Sequence, residues 1–263
     1  LALGRSADAV IAVSRYTAAR FNAGPGRPLA THVYNSIDLE RFDPDRVHPA
    51  PIRAELGIAP DAALLGQISQ ITPWKGQATA IRALARLRRD GLDAHLLIVG
   101  KVTFSGPGVR YDNRGYLDSL HRLAEELGES GAVHFLGHRP DVPQILAALD
   151  LSLLPSANEP FGRVTVESMA IGTPPLVSDA GSGPELVEDG VSGRTLPIGS
   201  DAVWADAARE LLTDRAELAR MGARARAGAA RFSDAAQIRG VLAVYARVTG
   251  GPVVSDEPAK AVS

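Results

Sequence analysis

Ser156-Ala157-Asn158-Glu159-Pro160-Phe161-Gly162-Arg163-Val164-Thr165-Val166-Glu167-Ser168-Met169-Ala170-Ile171-Gly172-Thr173-Pro174 reads as a loop running into a helix. The apolar run just before it, residues 151–154, has the unbroken hydrophobicity of a parallel strand buried on both faces, and residues 164–171 carry helical apolar periodicity. In an open α/β sheet such a junction lies at the carboxyl edge of the strands, where ligands bind, and the first turn of the helix offers free backbone N–H groups to an anion. Glu159 and Glu167 bracket those donors with seven residues between them. Carboxylates accept hydrogen bonds from sugar hydroxyls, so the pattern suits a ligand with phosphate in the middle and hydroxyls at both ends. A nucleotide-sugar has that shape. Taken singly, Glu159 is a loop carboxylate, Glu167 a solvated helix residue, and Pro160 and Gly162 ordinary turn residues. The string as a whole carries the argument.

That string resembles the signature of the retaining glycosyltransferases of the two-lobed GT-B architecture, the group 1 family that includes glycogen and sucrose synthases. The resemblance implies that Glu159 faces the donor sugar and that Glu167 binds the nucleotide ribose. It also implies that the backbone amides of Phe161, Gly162, Arg163 and Val164 hold the diphosphate.

Composition sets the outer limits. With 263 residues, 45% hydrophobic, 22% charged and a net charge of −2, the chain is long enough for one large or two modest domains and has no basic surplus pointing to nucleic acid. It contains no cysteine, which excludes disulfides and thiolate chemistry and fits a reducing compartment. No apolar stretch approaches the roughly 20 residues of a membrane span, and no signal-peptide pattern is present. A cytoplasmic location is expected, membrane-peripheral only through a lobe not in this sequence. The sequence opens at Leu1, without Met, in what reads as the middle of a fold.

Residues 9–13 form a short β-branched strand, followed by Ser14 as a helix N-cap and a helical segment to about residue 22. This strand and helix resemble the closing element of the family's N-terminal lobe. Gly24-Pro25-Gly26 is a turn, and Val33-Tyr34-Asn35-Ser36-Ile37-Asp38 matches the interlobe segment, with Ser36 where Gly is usual. The expected division is residues 1–35 as a remnant of the acceptor lobe, 36–232 as the donor-binding domain, 233–249 as a crossover helix and 250–263 as a disordered tail. From residue 56 onward strands (64–68, 95–99, 133–136, 151–154, 175–178) alternate with helices (75–90, 116–127, 142–149, 164–171). The alternation predicts an α/β, Rossmann-like, mainly parallel sheet with helices on both faces.

Ser69-Gln70-Ile71-Thr72-Pro73-Trp74-Lys75-Gly76 follows the first of those strands. A Lys at a helix start is unfavourable against the dipole and invites an anion, although a solvated surface Lys is the simpler reading of that residue alone. The resemblance assigns Lys75, and Gln70 five positions before it where the family carries Arg, to the donor diphosphate. The loop at residues 101–116 leaves the ligand edge and is expected to shape the cleft, with a plain surface excursion as the competing reading. Phe135-Leu136-Gly137-His138-Arg139 resembles the family's base-binding corner, which brings Gly137 and Arg139 into the donor set. The six histidines show no ligand spacing, so no metal site is expected. Residues 178–187 resemble the family's glycine-rich turn with its Pro-Glu, in which Glu185 caps a short helix, and residues 201–213 read as a helix with Val203, Trp204, Ala207, Leu211 and Leu212 on one face. The last helix carries Ile238, Val241, Leu242, Tyr245 and Val248 at 3-to-4 spacing. In the family that helix crosses back to the first lobe.

The resemblance implies a donor-binding lobe that serves transfer of a sugar from a nucleotide-diphosphate donor to an acceptor hydroxyl with retention. Glu159 and Lys75 are then the catalytic pair, the nucleotide-sugar is the co-substrate, and no metal or other cofactor takes part. The missing N-terminal lobe would pack against this lobe and the last helix; the acceptor is not specified. A nucleotide-binding module without transfer activity and a nucleotide-sugar epimerase are the alternatives.

Overall fold

The structure, a computed structural model, describes residues 7–23, 29–104, 106 and 108–251. The turn expected at Gly24-Pro25-Gly26 and the tail beyond residue 251 lie outside the described residues. Near the N-terminus β1 (Val10–Ala12), α1 (Arg15–Asn22) and β2 (Ala30–His32) make a two-stranded parallel sheet with its crossover helix. Ser14 caps α1, its hydroxyl accepting from the Thr17 amide while Thr17 reaches back to the Ser14 amide.

The chain continues through α2 (Ile52–Leu56), β3 (Ala63–Ile68), α3 (Gln77–Arg89), β4 (Ala94–Val99), α4 (Asn113–Glu126) and β5 (Val133–Gly137). Then come α5 (Val142–Ala148), β6 (Leu151–Leu154), α6 (Arg163–Ile171), β7 (Pro175–Ser178), α7 (Gly183–Leu186) and β8 (Arg194–Leu196). Three helices close the chain: α8 (Asp201–Thr213), α9 (Arg215–Ala229) and α10 (Asp234–Thr249). Strands β3 to β8 form one six-stranded sheet in the order β5-β4-β3-β6-β7-β8, with every pair parallel. The winding runs outward from β3 to β5, returns to β6 beside β3, and runs outward the other way to β8. Loops leaving β3 and β6 therefore diverge to opposite faces, and a crevice opens between them at the carboxyl edge.

Side chains alternate between the two faces of each strand, so each face has its own core. Leu65, Leu96, Ile98, Leu151, Leu153 and Leu176 pack with the apolar sides of α3, α4 and α8. Leu64, Leu97, Val99, Leu154 and Val177 pack on the other face with α5, α6 and α9. Both faces are thus covered, which is why these strands read as continuous apolar runs.

The structure departs from the sequence reading at several points. Strands β2 and β8 are only three residues long and carry Thr31, His32, Arg194 and Thr195, so no apolar run announces them. The helix expected from Lys75 starts at Gln77, because Pro73–Lys75 forms a 3-10 turn that Gly76 ends at φ 73°. Val203 is 39% exposed, since α8 buries Trp204, Ala205, Ala207, Ala208, Leu211 and Leu212 instead. In α10 the apolar row of Ile238 (56%), Leu242, Tyr245 (62%) and Val248 is exposed, as a helix that crosses to another lobe would leave it, and the position buried instead is Val244, outside that row.

Glu185 also does something other than cap its own short helix. Its carboxylate accepts the backbone N–H groups of Arg15 and Tyr16 at 2.8 and 2.6 Å and the Tyr34 hydroxyl at 3.1 Å. A carboxylate at the N-terminus of α1 satisfies two orphan donors and opposes the positive end of the dipole. Burial and this neighbouring carboxylate raise the Tyr34 phenol above its ordinary value. Glu185→Ala is expected to lower unfolding free energy by about 1–3 kcal/mol, the loss for hydrogen bonds to a charged group. Faster exchange of the Arg15 and Tyr16 amide protons is the local readout; unchanged exchange would contradict the capping role.

Candidate active site

The crevice between β3 and β6 holds most of the residues singled out from the sequence. Two buried glutamines shape its β3 side. Gln67 donates to the Lys75 carbonyl at 2.7 Å, and Gln77 donates to the Gln70 carbonyl at 2.9 Å and to the Ser69 hydroxyl at 3.1 Å. The turn is pressed against the β6 loop at Gly76, where an added Cβ would sit 2.1 Å from the Pro155 carbonyl oxygen. On the β6 side the Ala157 amide donates to the Trp74 carbonyl at 2.8 Å, and the Glu159 carbonyl accepts from the Ser182 amide at 2.9 Å. Gly181 lies close beneath, with φ 70° and no room for a side chain, since a Cβ would come within 2.5 Å of the Glu159 nitrogen.

These contacts place Glu159 opposite Lys75. The ammonium and carboxylate meet at 2.5 Å with side chains only 12% and 9% exposed, and the same ammonium lies 4.3 Å from the centre of the Trp74 ring. The anion that a Lys at this place invites is therefore present in the chain itself. Just beyond, Gly162 at φ 78° ends the loop and α6 begins with no side-chain cap. The Thr165 amide donates back to the Gly162 carbonyl at 2.9 Å, while the amides of Arg163 and Val164 before it have no i−4 carbonyl within the helix. Phe161 is buried and meets Tyr34 and Phe232 at ring-centre distances of 6.1 and 5.9 Å, so its side chain anchors the loop. A cavity of about 450 Å³ is lined by Lys75, Glu159, Gly162, Arg163, Val164 and Gln70 among others.

Glu167 follows within α6. Burial raises its carboxyl above the ordinary glutamate value, partly countered by Arg163 and Arg41, and Arg163 approaches it at 3.8 Å. Gly137 ends β5 at φ 64°. The Arg139 guanidinium makes a two-point pair with Asp141 at 2.8 and 2.7 Å and meets Glu55 at 3.4 Å. Gly137, Arg139 and Glu167 line neither this cavity nor its neighbour. The loop after β4 does reach the crevice: Phe104, Val109, Arg110 and Tyr111 join Gln70, Trp74 and Asn158 around a second cavity of about 640 Å³. Trp74 and Asn158 went unmarked in the sequence, as did Gln67 and Gln77; a polar residue inside an otherwise apolar buried strand was the available signal for Gln67.

Among the described residues no group of three His, Asp or Glu side chains is placed to hold a metal ion. His95 and His134 meet at 3.0 Å on adjacent strands, and burial lowers both imidazoles. Among the described residues no helix is long and apolar enough to cross a membrane.

A wholly parallel, doubly wound sheet with a phosphate-type helix start at its switch point defines a Rossmann-like lobe. Residues 50–228 match the family model for glycosyl transferases group 1, and the chain belongs to that family, whose members have the two-lobed GT-B architecture. It is 42% identical over 227 residues to the D-inositol 3-phosphate glycosyltransferase of Nocardia farcinica, which covers 84% of this chain and 48% of that protein. It is 35% identical over 232 residues to the GDP-mannose-dependent alpha-(1-6)-phosphatidylinositol monomannoside mannosyltransferase of Mycolicibacterium smegmatis, covering 84% and 57%. The chain spans about half the length of the curated relatives it matches. The crystal structure of Anabaena HepE with UDP and glucose superposes with a TM-score of 0.81 at 31% identity, over 94% of this chain and 64% of that one.

The state of Glu167 has a thermal signature. A carboxyl whose folded pKa is raised costs nothing below its unfolded value, and its penalty accumulates as pH rises from there through the folded value. Glu167→Gln should therefore melt higher than the wild type at neutral pH without ligand, and the difference should shrink as pH falls below the ordinary value of 4.5. Melting curves at pH 4 and 7 check this; a variant less stable at pH 7 would show that burial is outweighed by Arg163.

Proposed function

We propose that the chain is the donor-binding lobe of a retaining glycosyltransferase that passes a sugar from a nucleoside-diphosphate sugar to an acceptor hydroxyl without a bound metal. The observation that carries the reading is the Lys75–Glu159 pair beside the uncapped start of α6, a cation and a sugar-accepting carboxylate flanking an anion-binding helix end. Glu167 would take the ribose, the amides of residues 162–164 the diphosphate, and the backbone around Gly137 and Arg139 the base. Lys75, shared between Glu159 and the diphosphate, would offset the charge that grows on the leaving group. The similarity to UDP-bound HepE and to GDP-mannose- and inositol-phosphate-dependent transferases supports donors and acceptors of those kinds. The exposed row of Ile238, Leu242 and Tyr245 is where a first lobe would pack.

The ion pair makes the two glutamates separable. Glu159→Ala leaves a buried ammonium without its carboxylate, which should cost about 3 kcal/mol of stability and leave Lys75 free for phosphate. Calorimetry with UDP and GDP should find binding severalfold tighter in Glu159→Ala and weaker in Glu167→Ala, with transfer in the two-lobed enzyme lost in the first. The same direction of change in both variants would refute the assigned roles.

Gln70 lines the donor cavity as a neutral amide. Hydrogen bonds to charged groups are worth about 1.5–3 kcal/mol against about 1 for neutral ones, so Gln70→Arg should gain roughly 1 kcal/mol, about fivefold in dissociation constant. The gain should fade at high salt. An unchanged affinity at low salt would show that the position does not meet the diphosphate.

A further inference from the structure

Two cations line the donor cavity, and they are held unequally. Lys75 is bound to Glu159. Arg163, the first residue of α6, makes no hydrogen bond to any described residue. Its Nε stands 3.8 Å from the Glu167 carboxylate, at the edge of ion-pair distance, and its side chain is 63% exposed. The Glu167 side chain is only 12% exposed and likewise takes no hydrogen bond from a described residue, while Arg41 acts on it through charge from outside ion-pair distance. The guanidinium is what this carboxylate has in place of a hydrogen-bond donor.

The physics of the helix makes the pair easy to part. A cation in the first turn stands against the positive end of the dipole, and no acidic residue in that turn offsets it. An arginine four residues ahead of a glutamate is also the weaker order for such a pair. The Cα–Cβ bond of a helical residue leans toward the helix N-terminus, so reaching forward to Glu167 runs against the side chain's natural direction. Toward that N-terminus lie the amides of Arg163 and Val164, where the donor reading puts the diphosphate. A guanidinium fork can grip phosphate with two parallel hydrogen bonds, and Gln70 in the same cavity supplies no charge for that task.

We infer that Arg163 changes partners as the donor binds: in the empty lobe it covers Glu167, and when ribose hydroxyls take that carboxylate the guanidinium turns to the diphosphate. The two recognitions then depend on each other, and the lobe selects an intact nucleoside diphosphate over either half of it. A nucleoside alone displaces the arginine without giving it a phosphate. Pyrophosphate alone draws the arginine away and leaves a covered carboxylate bare. This gives the Arg163 side chain a role in donor specificity separate from that of its backbone amide, and it rests on the donor reading above.

The test is NMR titration of the 263-residue chain with UDP, GDP, uridine, guanosine and pyrophosphate, in the wild type, Arg163→Gln and Arg163→Lys. Arg163→Gln should weaken the preferred nucleoside diphosphate about tenfold and pyrophosphate by less, yet tighten the matching nucleoside about twofold. Arg163→Lys, which keeps the charge and loses the fork, should fall between the other two for the diphosphate. Because the side chain is mostly exposed, both variants should melt close to the wild type. A lower melting temperature with every ligand weakened alike would mean a structural role and overturn the inference. Tightening of every ligand in Arg163→Gln would make the arginine an obstacle only, and unchanged nucleoside diphosphate affinity would make it a bystander; either result overturns the inference while the donor reading stands. If the wild type binds neither nucleoside diphosphate, both fail together.

Discussion

Between β3 and β6 the winding of the sheet reverses, and the constraint this places on the chain governs the rest of the molecule. Right-handed crossovers send the two loops apart, so backbone that would otherwise fill the carboxyl edge is missing there. The gap is kept narrow by the contact of Gly76 with Pro155 and by the amide of Ala157 on the Trp74 carbonyl. The buried glutamines at residues 67 and 77 donate to the carbonyls of Lys75 and Gln70 and so hold both ends of the segment after β3. The site is thus a consequence of topology first and of side-chain chemistry second.

Across that gap stands the pair of Lys75 and Glu159, nearly out of contact with water. Taking both charges out of water is expensive, and such a pair is weak evidence for stability. Its meaning is better sought in what each partner would do if the other were drawn away. On the donor reading proposed above, a diphosphate at the helix start would compete with Glu159 for one ammonium, and a sugar hydroxyl would compete with Lys75 for one carboxylate. On that reading the pair would hold both side chains oriented until a ligand with both chemistries replaced the contact.

The sheet was legible because strands covered on both faces are mainly apolar: five of its six strands are visible as short apolar-rich runs, even with Gln67, His95, His134 and Ser152 among their residues. The sixth, β8, lies at the edge with Arg194 and Thr195, where burial does not enforce the pattern. Glu159, Lys75 and the helix start were visible as a local string, and they do meet in space. What the sequence could not show was pairing between distant segments. Lys75 and Glu159 are 84 residues apart, and Glu185 finds its partners 169 and 170 residues away, so neither contact leaves a local period or spacing to read. Arg139 was visible as a cation, but its capture by Asp141 and Glu55 depends on the fold of the corner. The cleft-forming role of the loop after β4 was legible from its length and place.

The cap that Glu185 provides for α1 is borrowed, since it comes from another part of the chain and not from the residues preceding the helix. Alongside it, the Ser14 hydroxyl donates to the Pro160 carbonyl at 2.6 Å and the Tyr16 hydroxyl reaches Asn158, both in the loop that carries Glu159. Any rocking of the β1–α1 unit away from the sheet must therefore strip two amides of their acceptor and tug on the Glu159 loop in the same movement. The joint behaves as a detent, with one seated position in which the helix is complete and the carboxylate of Glu159 is held at its post.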